Sequence, residues 1–391
     1  MAKLPEHSPL GASGSYRWLP APYGGDCYGS VPLSEGLVDE ESDYAVVGTT
    51  AHALGELCFL TDSDAWQFIG VVNAKTRIAY DKPMADAVQV YLDSVREWHP
   101  DRHQGNFWIE RAFHCPELHP LFYGTSDATY HDEAARALHI WDYKNGAGIV
   151  VEVEDNPQEM YYACGTLQDL GLWGEVDHIV LHIAQPNGFH WNGPIRQWKT
   201  TTAELRAWLH DILLPAMGES EASTELNSGE HCRFCAVRSY NCPQIEKDID
   251  ELERLMAMPA DELTPKQIAR RLDLGEVFKI AKKAAEQTAF VRLNRGIAIP
   301  GWKLAKKKAN RDWKTGAEAV IKKKFGKKAM TEPELKSPAQ IDAMPEGETI
   351  TARWAFKPDT GLTVVRGEDT RPAVSRDTKA LFTDQTKKGK K

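Results

Sequence analysis

The sequence predicts an α/β protein, and three observations carry that reading. Short alternating runs at Phe107–Phe113, within Leu121–Tyr130 and at Ala137–Trp141 have the period of strands. Helical patterns flank them. Met84, Ala87, Val88, Tyr91, Val95 and Trp98 form a stripe at helical spacing, and Asp155 or Asn156 can cap a helix with Pro157 in its first turn. A further apolar run from Val176 to Gln185 reads as a core strand ended by Pro186, because proline cannot donate in a ladder.

Length and composition bound what this fold can do. A chain of 391 residues suits one large or two ordinary domains. No apolar stretch reaches about 18 residues and no signal peptide is evident, so a cytoplasmic location without membrane contact is expected. Seven cysteines in that compartment are read as chemistry or as core, not as a disulfide framework. The formal charge of -9 divides into -21 for residues 1–250 and +12 for 251–391. A negative first part does not exclude a polyanionic partner, since a few directed cations govern local contact while net charge sets steering. No P-loop sequence occurs, so any translocation falls to a partner.

In chain order, residues 1–42 are largely turn and loop, with a short helix at Ser15–Leu19 that sends Trp18 and Leu19 inward. Cys27 follows in a glycine-rich loop. Thr49 to Leu60 reads as a helix on which His52 and Glu56 share a face. Residues 62–81 suggest an insertion without assigned chemistry. After Gly124-Thr-Ser-Asp127, the strand that begins at Ala137 ends in Asp142 and Lys144, two apart and therefore on one face. If the Asp127 segment pairs beside it, two carboxylates and an amine converge, a seat for a divalent metal and a water. Alone, Asp142 and Lys144 would be an ordinary surface pair. Gly146 and Gly148 then break the strand, and Gln158 and Tyr162 lie one helical turn apart.

Trp191–Trp198 is a short extended piece, and Thr201 or Thr202 caps a helix running through Ala216. Cys232, Cys235 and Cys242 supply three soft ligands and need a fourth, for which Cys27 is the best distant candidate. Four thiolates suit either an iron–sulfur cluster or zinc. Cys164 is read as packing. Helices are expected at Ile245–Met258, Thr264–Leu272 and Val277–Leu293. Residues 281–330 carry a net +12, with Lys306–Lys308, Arg311 and Trp313 prominent, as a DNA track or a solvated face. A lysine-rich tail follows Arg371. The expected organisation is 1–243 as a catalytic domain, 244–330 as a helical basic accessory region, and 331–391 as linker, small element and tail.

Gly124-x-x-Asp127, Asp142-x-Lys144 and Gln158-x-x-x-Tyr162, in this order, resemble the motifs of the PD-(D/E)XK nucleases, in the branch of the RecB-like, AddB-like and Cas4-like domains. The Ser15-Tyr-Arg17-Trp18 start and the Gly48-Thr-x-x-His52 helix are similar to a phage and prophage group within it, DUF2800, over the chain to about Arg371. The resemblance implies a restriction-endonuclease-like core, a mixed central sheet flanked by helices. Its two ends would be tied by a 4Fe-4S cluster on Cys27, Cys232, Cys235 and Cys242. It implies Mg2+ or Mn2+ on Asp127 and Asp142, aided by His52 and the Tyr143 carbonyl, with Glu56 facing the same cleft and Glu110 near it. Lys144 would orient the attacking water, and Gln158 and Tyr162 would position the DNA backbone. The implied activity is a DNA exonuclease at duplex ends in phage recombination or replication, in the bacterial host cytoplasm. A strand-annealing or single-strand-binding partner and a homo-oligomer are the partners expected with it, and a closed ring of subunits would favour processive digestion. A structure-specific endonuclease, a subunit beside a helicase and an inactive DNA-binding scaffold are the alternatives; intact Asp127, Asp142 and Lys144 count against the last.

Overall fold

Strands β1 (Phe107–His114), β2 (Tyr123–Asp132) and β3 (Ala137–Tyr143) form an antiparallel meander. β4 (His178–Ala184) lies parallel to β3, and β5 (Ile195–Thr201) closes the sheet antiparallel to β4, so the strand order is the chain order. The parallel step needs a crossover, which the helix after β3 provides. The structure is a computed structural model that describes residues 7–37, 43–99, 105–146, 148–239 and 242–303. The chain divides into two compact units, 1–305 and 306–391. The second unit, which holds Lys306–Lys308, Arg311, Trp313 and the tail, lies outside the described residues.

Helices cover both faces of the sheet. Short helices α1 (Ser15–Trp18) and α2 (Ser30–Leu33) precede α3 (Asp43–Thr61) and α4 (Lys82–Trp98), the latter capped by Asp81, which accepts from Met84 N. The crossover helix α5 (Pro157–Leu170) is capped by Asn156, whose side chain accepts from Gln158 N and Glu159 N, with Pro157 in its first turn. α6 (Thr202–Trp208) starts with a capping box between Thr201 and Glu204, passes through one π-helical turn and runs on as α7 (Leu214–Ser220). α8 (Pro243–Ala257) and α9 (Pro265–Asn294) follow. α9 is one continuous helix where two were expected. A Cβ added at Gly275 would meet nothing within 4 Å, and a glycine within a long helix costs only about 1 kcal/mol against alanine, too little to break it.

The two faces of β3 and β4 belong to different cores. Leu138, Ile140, Ile179, Leu181 and Ile183 pack with Met160, Ala163 and Leu167 of α5 and with the N-terminal Leu10, Trp18 and Leu19. Trp141, Tyr143, Ala128 and Ala184 pack instead with Leu54 and Cys58 of α3 and with Val88, Tyr91, Leu92 and Val95 of α4. Burial on both faces explains why Val176–Gln185 alternates imperfectly. α5 reaches the sheet closely because Gly165 has no side chain; a Cβ there would lie 2.2 Å from the Phe113 ring. Among the described residues no helix is long and apolar enough to cross a membrane.

Under α4 sits a buried aromatic and imidazole stack. Trp141 and His182 stack at 4.3 Å and 7°, His139 lies 4.6 Å from the Trp98 ring, and His139 Nδ1 meets His182 Nε2 at 3.1 Å. Burial holds His139 down at about 4 and His182 well below the ordinary histidine value. A histidine kept neutral by folding binds its proton more readily in the unfolded chain. The stability it contributes is therefore complete above about pH 6.5 and is lost as pH falls toward 4. Urea titrations from pH 7 to 4.5 are expected to show His139 alone costing on the order of 3 kcal/mol by the acid end. A His139→Gln variant should show a shallower slope over that interval, and parallel curves for the two proteins would refute the assignment.

Candidate metal centre

The site forms where β2 and β3 stop pairing. The last rung of their ladder in that direction is Ala128↔Trp141. Beyond it, Asp127 Oδ2 accepts from the Tyr143 N–H at 2.7 Å, so a carboxylate occupies the place of a strand carbonyl. Asp127 Oδ1 faces His52 Nδ1 of α3 at 3.5 Å. Glu110 of β1 completes a trio: one ligand atom each from His52, Glu110 and Asp127 lies within 4.8 Å of the others. The β1–β2 register passes from Ile109↔Ala128 to Arg111↔Ser126, which sets Glu110 against Asp127. Glu110 has φ +45°, a left-handed conformation inside a strand, of a kind that costs about 1–3 kcal/mol and is held by its surroundings.

A second set of side chains adjoins the first. Asp142 is buried; its Oδ2 meets Lys144 Nζ at 2.7 Å, and its Oδ1 accepts from Gln158 Nε2 at 3.3 Å. Lys144 Nζ donates to Gln158 Oε1 at 2.9 Å, and Gln158 Nε2 donates to the Tyr162 hydroxyl at 2.8 Å. The four residues Asp142, Lys144, Gln158 and Tyr162 thus form one connected group, drawn from β3, the residue after it and α5.

Electrostatics separates the carboxyls. Burial raises Glu110 to about 7, assisted by the Asp127 charge and opposed by His52. Burial also disfavours ionised Asp127, but His52, the Tyr143 N–H and Lys144 outweigh it and leave Asp127 below the ordinary aspartate value. Asp142 goes up, through burial and the Asp127 charge, with Lys144 pulling against them. Burial disfavours the His52 imidazolium, yet the surrounding acids lift it to about 9; Lys144 is raised by Asp142 in the same way. Crowded acids that recruit a proton onto histidine are the environment a divalent cation relieves; carboxylate oxygens suit hard cations, and an imidazole adds affinity for the transition metals.

The structure brings His52, Asp127, Asp142, Lys144, Gln158 and Tyr162 to one place. Tyr143 lies among them with its N–H on Asp127 and its ring stacked on Tyr91 at 5.2 Å. Glu56 is exposed, one turn beyond His52 and outside the ligand trio, although its charge reaches Glu110. Glu110 itself was expected near the cleft only, and its clearest signal is an acid in the middle of a strand pattern. Glu159 could not have been found from sequence. It reads as a first-turn acid of α5, yet it is wholly buried, neither carboxyl oxygen has a hydrogen-bond partner, and burial beside Asp142 raises it far above the carboxylate range.

The four cysteines line one small cavity with Asn227 and His231. Asn227 N donates to Cys27 Sγ at 3.4 Å, and Arg17 Nη1 lies 3.7 Å from Cys235 Sγ. Burial pushes Cys232 up to about 12, so a bound cation is what would make it a thiolate. Gly25 approaches the segment so closely that a Cβ would sit 2.1 Å from His231 Nδ1. No three of the sulfurs come within 4.8 Å of one another. Tetrahedral zinc would hold them about 3.8 Å apart, and the corners of a four-iron cubane space thiolates more widely.

A mixed five-stranded sheet with helices on both faces, bearing acids, a lysine and a histidine where two central strands part, defines the class of protein. The chain belongs to the family described as protein of unknown function (DUF2800), whose profile matches residues 7–372. No solved structure matches it.

The trio predicts a separable effect at Glu110. Glu110→Gly should be more stable than Glu110→Ala by about 1 kcal/mol, because glycine accepts the left-handed backbone. Both variants should lose most of the rise in Tm that Mn2+ gives the parent. Equal stabilities, or an undiminished Mn2+ response, would contradict the strained-ligand assignment.

Proposed function

We propose that the protein is a metal-dependent deoxyribonuclease that hydrolyses phosphodiester bonds at duplex DNA ends. The observation that carries this reading is the adjacency of the His52–Glu110–Asp127 trio to the Asp142–Lys144–Gln158–Tyr162 group. The antiparallel three-stranded meander with a helical crossover to a parallel fourth strand supports the reading of a restriction-endonuclease-like core.

His52, Glu110, Asp127 and Asp142 would hold Mg2+ or Mn2+, which supplies Lewis acidity toward a phosphate oxygen and acidifies water. The chain's own groups do the rest. Lys144, kept an ammonium by Asp142, orients the attacking water and offsets negative charge growing on the phosphate. Gln158 holds Lys144 and Tyr162 in fixed relation, and the Tyr162 hydroxyl keeps its own proton to donate to a phosphate oxygen. Contacts of this kind fix a backbone without reading bases, so low sequence preference follows.

A 4Fe-4S cluster acting as a structural closure is the proposed role of the four cysteines, supported by Cys27 lining the same cavity as Cys232, Cys235 and Cys242. The setting proposed is phage recombination or replication in a bacterial cytoplasm, beside a strand-annealing or single-strand-binding protein. The lysine-rich second unit would add DNA affinity.

Digestion of end-labelled linear duplex with Mg2+ or Mn2+ tests the activity. Label should be lost from linear DNA, a closed circle should survive, and Asp142→Ala should be inert; cutting of the circle would replace the end-dependent reading with an endonuclease. Anaerobic purification tests the closure. Brown protein with iron and sulfide in similar amounts, both lost in Cys232→Ala, is the expected result, and colourless protein with one zinc would overturn it.

A further inference from the structure

The hairpin between β4 and β5 leaves two large aromatic rings in water. Trp191 is 84% exposed and Phe189 69%, with ring centroids 5.4 Å apart in an edge-on pair at 74°. The backbone that carries them is tied down. Gln185 N donates to Pro194 O at 2.8 Å, Arg196 Nη1 to Gly193 O at 3.2 Å and Asn192 N to His190 Nδ1 at 3.0 Å. The hairpin is also fixed to the proposed site, because Asn187 Nδ2 donates to Asn145 O at 3.0 Å and Asn145 directly follows Lys144. Exposed aromatics on a rigid loop mark a binding surface, since a folded chain otherwise buries such rings.

The chemistry of the occupant follows from the surroundings. Beside the rings His190 Nε2 lies 3.3 Å from the exposed Glu152, a carboxylate that repels a phosphate. What the hairpin offers is flat apolar surface, and an edge-on pair leaves ring faces open to a planar ligand. From this placement we infer that Phe189 and Trp191 form a stacking platform for unpaired bases of the DNA end whose backbone lies at Lys144. The inference rests on the nuclease reading and names the form of its substrate: an end with a frayed or single-stranded tail. Stacking on aromatic rings tolerates any base, in keeping with a site that reads no sequence.

The test uses the full chain, anaerobically purified, with Ca2+ in place of Mg2+, and fluorescence anisotropy on three labelled probes. These are a duplex with an unpaired tail, the same duplex with abasic sites in the tail, and a blunt duplex. The parent should bind the base-bearing tail about tenfold or more tighter than the abasic one. Phe189→Ala/Trp191→Ala should bind those two alike and match the parent on the blunt duplex, while Trp191→Phe keeps most of the preference. An unchanged preference in the double variant, or equal loss on all three probes, overturns the platform. So does a concentration-dependent dimer in sedimentation that the double variant abolishes, which would give the rings to a second copy. If the parent cuts linear DNA in Mg2+ while the double variant keeps its preference, only the platform falls; if the parent neither binds nor cuts, both readings fall.

Discussion

Everything at the candidate metal centre depends on burying like charges together. Glu110, Asp127 and Asp142 meet where two strands separate, with the buried acid Glu159, whose ionised form burial disfavours, behind them. Such a group folds only if each neighbouring element contributes something positive or donating, because an uncompensated buried charge costs several kcal/mol. α3 contributes the His52 imidazolium, β3 the Tyr143 N–H, the residue after β3 the Lys144 ammonium, and α5 the Gln158 amide. The compensation is uneven. Asp127 receives most of it and stays ionised, whereas Asp142 is pushed up, so two chemically identical side chains acquire different roles from their surroundings.

Holding these groups in register falls to the two cores. Because β3 is buried on both faces, neither the α3/α4 layer nor the α5 layer can shift without moving the strand that ends in Asp142. The close approach at Gly165 fixes α5 against β1, and with it the height of Gln158 and Tyr162 over the sheet. The left-handed φ at Glu110 is the local cost of this arrangement. An ordinary extended residue there would continue the strand, and the third ligand would leave the trio.

Periodicity and capping chemistry made most of the scaffold legible in the sequence. Asn156-Pro157 announced α5, the alternating runs announced the strands, and the two-residue and four-residue spacings announced the Asp142–Lys144 and Gln158–Tyr162 pairs. What stayed hidden depends on three-dimensional context. Glu110 joins the trio through cross-strand register and an unusual φ, neither of which a strand pattern encodes. Glu159 differs from a solvated first-turn acid only in what packs over it. The start of α3 at Asp43 and the continuity of α9 were misjudged for a simpler reason: helix boundaries follow tertiary packing more than local propensity.

The cysteine cavity bears on the site by a route the fold defines. Cys27 belongs to the N-terminal segment whose Trp18 and Leu19 pack in the same core as Met160 and Leu167 of α5. Cys232, Cys235 and Cys242 pack with Val277 and Ile280 of α9. Joining the four thiols would close a loop of roughly 200 residues, which removes far more freedom from the unfolded chain than any local contact. The short helix α1 that precedes Cys27 packs on α5. Loosening at the thiols would therefore be felt through α1 at the helix that carries Gln158 and Tyr162.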